Sequence, residues 1–208
     1  MGQPTPFFAI QDTLSKVGST NDYLKQFVNE GQPRSVWARE QTSGRGRRGR
    51  VWVSPRDQGL YASFLIYPGE IVHQGRALNM VLVLAVVETI REIAPRLGVR
   101  LSVKRPNDVL IRGRKVCGVL VEIGRHSQQM KWAVLGVGLN LFQTTFPSMG
   151  GISHPPTSLI LEGIDVGSAR DVFDLLSRHL QNFLTTLQAG HAELSYLEEQ
   201  FRRETVKF

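Results

Sequence analysis

Sulfur, rings and acid are all scarce in this chain. Its single cysteine, Cys117, rules out an internal disulfide framework and fits a reducing, cytoplasmic compartment. Aromatic residues make up only 8% of the chain. Acidic side chains number 18 against 25 Lys and Arg, a formal net charge of +7. No apolar stretch is long enough for a helix to cross a bilayer, because the most apolar run, Met80 to Val87, is followed at once by Glu88. The start, Met1-Gly2-Gln3-Pro4-Thr5-Pro6, lacks the basic and apolar regions of a secretory signal, and Pro6 spoils a myristoylation pattern. The five histidines, His73, His126, His154, His179 and His191, have no metal-ligand spacing, so no zinc site is expected. Repeats and low-complexity tracts are missing too.

What remains is an ordinary globular composition, 41% hydrophobic and 21% charged over 208 residues, enough for one sizeable domain with a real core. The basic excess points to anionic partners, whether nucleic acid, a phosphorylated ligand or an acidic protein, and only its placement discriminates among them.

Ser19 or Thr20 is a candidate N-cap for a helix over residues 21–29, where Tyr23, Leu24, Phe27 and Val28 recur at helical spacing. Residues 35–41 and 60–67 read as strands, the second buried and ended by Pro68-Gly69. Arg76 to Ala94 is the longest helical candidate, apolar on most faces and closed by Pro95 and Gly98, so it should lie deep against a sheet. Short strands follow over 100–104, 109–111, 116–123 and 132–141, two of them joined by the turn Arg112-Gly113-Arg114. Residues 142–157 read as a long functional loop. A helix begins at Ser168 with Asp171 three residues on, striped by Val172, Leu175, Leu176, Leu180, Phe183 and Leu187, and a last helix covers about 192–203. The order predicts one α+β domain over residues 1–208, a mixed β-sheet flanked by helices.

Four segments can carry chemistry. Gly44-Arg45-Gly46-Arg47-Arg48-Gly49-Arg50 alternates always-charged guanidinium groups, which bind carboxylates and phosphates through paired donors, with glycines that let backbone approach an anion. A solvated basic turn and an RNA-binding tract are its rivals, but its place between ordered apolar segments, with Trp52 just beyond, favours a mobile loop over a small anionic ligand. Lys104-Arg105-Pro106-Asn107-Asp108 places a polar pair at a strand entrance, either as a turn former or beside Mg-nucleotide or a lysine. In Lys115-Val116-Cys117-Gly118-Val119-Leu120-Val121-Glu122, strict alternation would put Lys115, Cys117, Val119 and Val121 on one face. Gly136-Val137-Gly138-Leu139-Asn140 leaves room for something flat on one side of a strand. Cys117 reads as a small buried residue rather than a nucleophile.

In this order, Ser19-Thr20-Asn21, the stretch Gln41 to Arg50, Trp52, Lys104 to Asp108, Lys115 to Glu122, Gly136 to Asn140 and Thr157-Ser158-Leu159 together resemble the catalytic domain of biotin protein ligases, over about residues 13–185. Lipoate ligases and octanoyl transferases share that fold, related to class II aminoacyl-tRNA synthetases, but the arginine–glycine run is similar to the biotin branch. The resemblance implies a two-step reaction: biotin and ATP give biotinyl-5'-AMP with Mg2+ on the phosphates, and a lysine of a biotin carboxyl carrier domain then takes the biotin. It implies Lys115, Arg47 and Asp108 as catalytic. It gives the biotin site Ser19, Thr20, Asn21, Gln41, Gly44, Arg45, Gly46, Arg47 and Lys115, with Gly118, Leu120, Gly136 and Gly138 along the valeryl chain. To ATP or adenylate it gives Arg47, Arg48, Arg50, Asn107, Asp108, Lys115 and Asn140, with Trp52 covering the adenine.

There are three departures. The family's tryptophan before Pro-Asn-Asp is Arg105 here. With 18 residues ahead of Ser19, no winged helix and no specific DNA binding are expected. A small C-terminal β-domain is expected to be absent or truncated before Phe208. A lipoate or other acyl-acid ligase, and a transfer-impaired relative that still binds biotin or adenylate, stand as alternatives. A homodimer is allowed by analogy.

Overall fold

The computed structural model describes residue 8 and residues 10–67, 75–95, 100–125, 131–147, 154–189 and 191–205. In chain order the elements are β1 (Ile10–Leu14), α1 (Thr20–Lys25), β2 (Arg34–Ala38), β3 (Gly59–Ile66), α2 (Gly75–Ile93), β4 (Leu101–Lys104), β5 (Asp108–Ile111), β6 (Arg114–Arg125), β7 (Lys131–Asn140), α3 (Ala169–Ala189) and α4 (His191–Glu204). Met1–Pro6, Pro68-Gly69, His73, Gly98, His126 and residues 148–153 of the long loop lie outside the described residues.

The strands form one sheet in the order β1-β2-β3-β7-β6-β5-β4. Among the described strands only the β1–β2 pair is parallel and the other pairs are antiparallel, so the sheet is mixed. Period-two alternation divides its sides. Leu60, Ala62, Phe64 and Ile66 of β3 share rungs with Leu139, Val137, Leu135 and Ala133 of β7, and this side is covered by α2 and α3. α2 is buried along nearly its whole length, as its apolar composition demands. α3 buries Val172, Phe173, Leu176, Leu180, Leu184 and Leu187. Phe173 takes the place expected for Leu175, and its ring stacks on Phe64 at 5.7 Å. Each such fully buried apolar side chain contributes about 1.5–3 kcal/mol.

The opposite side of the sheet is sparsely covered. α1 lies there, seated by Leu24 against Val36, Leu65 and Val134. It ends at Lys25, shorter than the periodicity implied, and Ser19 stands at its N-cap position without a side-chain capping bond. β1 was not expected: its residues, Ile-Gln-Asp-Thr-Leu, hold three polar side chains in a row and are half-buried and exposed by turns. The capping pair at α3 forms as its spacing predicts, Ser168 Oγ accepting from the Asp171 N–H at 3.1 Å and donating to its carboxylate at 2.7 Å.

Candidate active site

On the α1 side, three rungs of the sheet make a floor. Tyr61, Gly138 and Gly118 share the first, Ser63, Gly136 and Leu120 the second, and Leu65, Val134 and Glu122 the third. The glycines leave that floor bare, and two other elements settle onto it. A Cβ at Gly136 would collide with the Asn21 side chain of α1, and one at Gly138 would collide with the Trp52 indole. At Gly118 a Cβ would meet Trp52 at 3.0 Å and the Lys115 ammonium at 3.3 Å. These are the close approaches that glycine allows inside a strand.

One end of the floor holds a buried polar knot. Gln41 Oε1 accepts from the Thr20 backbone N–H (2.9 Å) and hydroxyl (3.0 Å), while its amide donates to Ser54 Oγ at 2.9 Å. Ser63 Oγ lies 2.7 Å from Thr20 Oγ1 and 2.6 Å from Asn21 Oδ1. Asn21 Nδ2 donates to Glu122 at 2.7 Å. Ser19, Thr20, Asn21 and Ser63 are all buried. The knot brings Ser19, Thr20, Asn21 and Gln41 together and adds Ser63, Ser54 and Glu122, which sequence reasoning did not single out. The one visible clue to Ser63 was a lone serine within the apolar run 60–67.

The arginine–glycine run is a narrow hairpin rather than an open loop. Gln41 pairs with Ser54 and Arg45 with Val51, the Gly46 N–H donates to the Arg50 carbonyl at 2.7 Å, and the Trp52 N–H donates to the Gly44 carbonyl at 2.9 Å. A single 3₁₀ turn, Arg47–Gly49, forms its tip, with Arg48 at φ 57° and Gly49 at φ 73°. Gly44 is packed so closely against Trp52, Ser54 and Gln41 that a side chain would not fit. Arg45 turns back to Asp22 (2.7 Å) and Glu122 (3.4 Å). Burial raises the carboxyls of Asp22 and Glu122, but hydrogen bonds and charge from Arg45 and Lys25, with Asn21 at Glu122, outweigh it and hold both below the usual carboxylate range. Arg47, Arg48 and Arg50 stay exposed, Arg47 reaching only Asn107 Oδ1 at 3.4 Å.

The far end of the floor belongs to Lys115. Its ammonium pairs with Asp108 at 2.7 Å and lies 5.3 Å from the centroid of the Trp52 ring. Alternation had placed Lys115 on the same face as Cys117. The structure corrects this, because the register shifts between Val109, opposite Cys117, and Leu110, opposite Lys115. The extra residue, Val116, forms a bulge that turns Lys115 to the Gly118 side. Cys117 is buried and its thiol is pushed up by burial. Asn107 anchors beside them, donating to the Val119 carbonyl at 3.0 Å.

Two expected positions are engaged within the protein itself. Asn140, expected at ATP, is buried and spent inside the protein: its Nδ2 donates to the Thr157 carbonyl (2.9 Å) and its Oδ1 accepts from Gln143 (3.1 Å). Trp52, expected over adenine, lies on the glycines given to the valeryl chain, because the Gly44–Trp52 backbone bond aims it there and Gly118 and Gly138 offer a flat seat. Its Nε1 is buried with no hydrogen-bond partner.

Residues 14–140 match the model of the biotin/lipoate A/B protein ligase family. The chain is 34% identical over 134 residues to the bifunctional ligase/repressor BirA of Bacillus subtilis, a match taking in 64% of this chain and 39% of that protein. It is 34% identical over 171 residues to the biotin–[acetyl-CoA-carboxylase] ligase of Paracoccus denitrificans, covering 79% of this chain and 68% of the other. Its fold is similar to that of the biotin protein ligase of Aquifex aeolicus in complex with biotin and ATP, with a TM-score of 0.78 and 29% identity over 96% of this chain and 79% of the other. On the sheet, on the motifs and on these likenesses, the chain belongs to the biotin/lipoate A/B protein ligase family.

Proposed function

We propose that this protein is an ATP-dependent biotin ligase that forms biotinyl-5'-AMP and transfers biotin to a lysine of a biotin carboxyl carrier domain. The observation that carries the reading is the polarity of the floor: the buried knot of Thr20, Asn21, Gln41 and Ser63 lies at one end and Lys115 with Asp108 at the other, under a hairpin of exposed arginines. A ureido ring needs fixed donors and acceptors at one end of a narrow slot, from which the Trp52 indole would have to move to admit the valeryl chain, and leaving one unpaired costs about 1–3 kcal/mol. A lipoyl dithiolane offers no hydrogen-bond groups to that knot, which favours biotin within this family.

In the first step the biotin carboxylate attacks the α-phosphorus of ATP, and the bond to pyrophosphate breaks. Two anions must meet, so positive charge has to be in place beforehand. Lys115 would hold the carboxylate and α-phosphate, and Arg47, Arg48 and Arg50 would meet the phosphates. Asp108 pairs with the Lys115 ammonium and aims it. Among the described residues no three His, Cys, Asp or Glu side chains converge on a metal position. Mg2+ bound with ATP would neutralise phosphate charge, and Asp108 is the carboxylate beside Lys115 that would meet it. In the second step the acceptor amine attacks the acyl carbon, and AMP leaves with the electron pair of the broken C–O bond. Asn107 shapes the nucleotide side, Gly44, Arg45 and Gly46 hold the hairpin in register, and Ser19 begins the helix that carries Thr20 and Asn21.

Among the described residues no helix is long and apolar enough to cross a membrane. A carrier domain in the cytoplasm is the acceptor this reading expects. Biotin-dependent exchange of pyrophosphate into ATP, followed by transfer to a carrier domain, tests it. Exchange with lipoate in place of biotin would overturn the substrate assignment, and adenylate without transfer would overturn the second step.

A further inference from the structure

β7 ends at Asn140, yet β6 continues past it to Arg114. Lys115 therefore lies beyond the reach of β7, at the bulge that turns it onto the floor. Its outer neighbour is a substitute strand: the Lys115 N–H donates to the Pro155 carbonyl (2.8 Å), its carbonyl accepts from the Thr157 N–H (2.9 Å), and the two segments run parallel. Asn140 hands the ladder over by donating to the Thr157 carbonyl.

That substitute strand is tied down by a buried acid. Thr157 and Glu162 are both buried, and the Thr157 hydroxyl donates to Glu162 Oε1 at 2.7 Å. The same carboxylate holds Arg112 at 3.2 Å and Arg114 at 2.8 Å, one on each side of the left-handed Gly113 turn that leads into Lys115. A carboxylate with no solvent exposure of its side chain is costly to bury. Here both oxygens are engaged, and each interaction bears on one of the two segments flanking Lys115.

We infer that Glu162, through Thr157, Arg112 and Arg114, is the positioning residue that holds the bulge and keeps the Lys115 ammonium aimed along the glycine floor. This deepens the proposed function and rests on Lys115 being the group that meets the anionic substrates. Glu162 touches no part of the floor; it acts on the backbone that carries Lys115.

The test uses the full chain and two readouts. The first is competitive acetylation of lysines with acetic anhydride, with Lys115 quantified by mass spectrometry against the exposed Lys16. The second is biotin-dependent adenylate formation. Thr157→Val keeps the shape and removes the hydroxyl, Thr157→Ser restores it, and Glu162→Gln removes the charge. Expected are several-fold faster Lys115 acetylation in Thr157→Val and Glu162→Gln, and a fall in kcat of about ten- to a hundred-fold, the scale of an ångström-sized misplacement. The KM for biotin should change by less than about three-fold, because the knot at the other end is untouched. Thr157→Ser should match the parent in both readouts. Folded Thr157→Val and Glu162→Gln with parental Lys115 acetylation overturn the inference, and so does raised acetylation with unchanged kcat. A parent that makes no biotin-dependent adenylate counts against the proposed function alone, and acetylation then decides this inference by itself.

Discussion

The indole of Trp52 rests on the backbone of Gly138, so closely that a methyl group there would occupy the same space as the ring. Hairpin and sheet are thereby in direct contact across the middle of the floor. Gly138→Ala should destabilise the protein by about 1–3 kcal/mol, the usual cost of overpacking. In a Trp52→Ala background the same substitution should cost much less, because the ring is gone. Denaturant unfolding of the two single variants and the double variant measures the difference. Additive effects would mean that the two residues do not touch.

The knot makes a different prediction. Ser63 has one proton for two acceptors, Thr20 Oγ1 and Asn21 Oδ1, and all three residues are buried. Ser63→Ala removes a donor without adding bulk, so it should weaken biotin binding by about ten- to a hundred-fold, equivalent to about 1–3 kcal/mol of unpaired polar group. ATP binding should be unaffected. Titration calorimetry with each ligand separates the two, and an unchanged biotin affinity would remove Ser63 from the site.

How much of this was legible in the sequence varies with the physics of each residue. The buried helix α2, the hairpin turn at Gly113 and the capping pair Ser168–Asp171 follow from composition and spacing, which are local. So do the bare glycines of β6 and β7. The face of Lys115 was misjudged because alternation assumes an unbroken ladder, and the bulge at Val116 arises from pairing with β5, a tertiary event. β1 escaped notice because an edge strand paired on one side needs little apolar content. Ser63 was hidden because its partner Asn21 lies 42 residues away, and Glu162 because, beyond the nearby Thr157, its arginine partner Arg112 lies 50 residues away.

The Arg45 latch gives a pH dependence. Asp22 and Glu122 have folded-state carboxyls below their usual values, so the stability they contribute is fully present above the unfolded carboxylate range near pH 4 and is lost as pH falls through the depressed folded values. As pH falls below about 4, Arg45 should come free and the hairpin should loosen. Fluorescence of Trp52, isolated in a Trp37→Phe/Trp132→Phe background, would report the step. Glu122→Gln should shrink it, leaving the part due to Asp22. A signal flat across that range in the parent would show that Arg45 does not hold the hairpin.

Arg105 stands where the family resemblance expects tryptophan, and the structure turns it away from the floor. Its guanidinium lies 5.5 Å from the Phe201 ring centroid, and its Nε reaches Thr205 Oγ1 at 3.4 Å, so it serves the docking of α4 beside β4. Val103 of β4 pairs with Thr205 in the same place. Arg105→Ala should cost about 0.5–1 kcal/mol, the worth of an exposed cation–π contact. It should leave the KM for ATP unchanged, since nothing it touches borders Lys115 or the hairpin. Thermal unfolding and adenylation kinetics on the same preparation check both halves. A raised KM for ATP with an unchanged melting temperature would instead put Arg105 on the nucleotide side of the site.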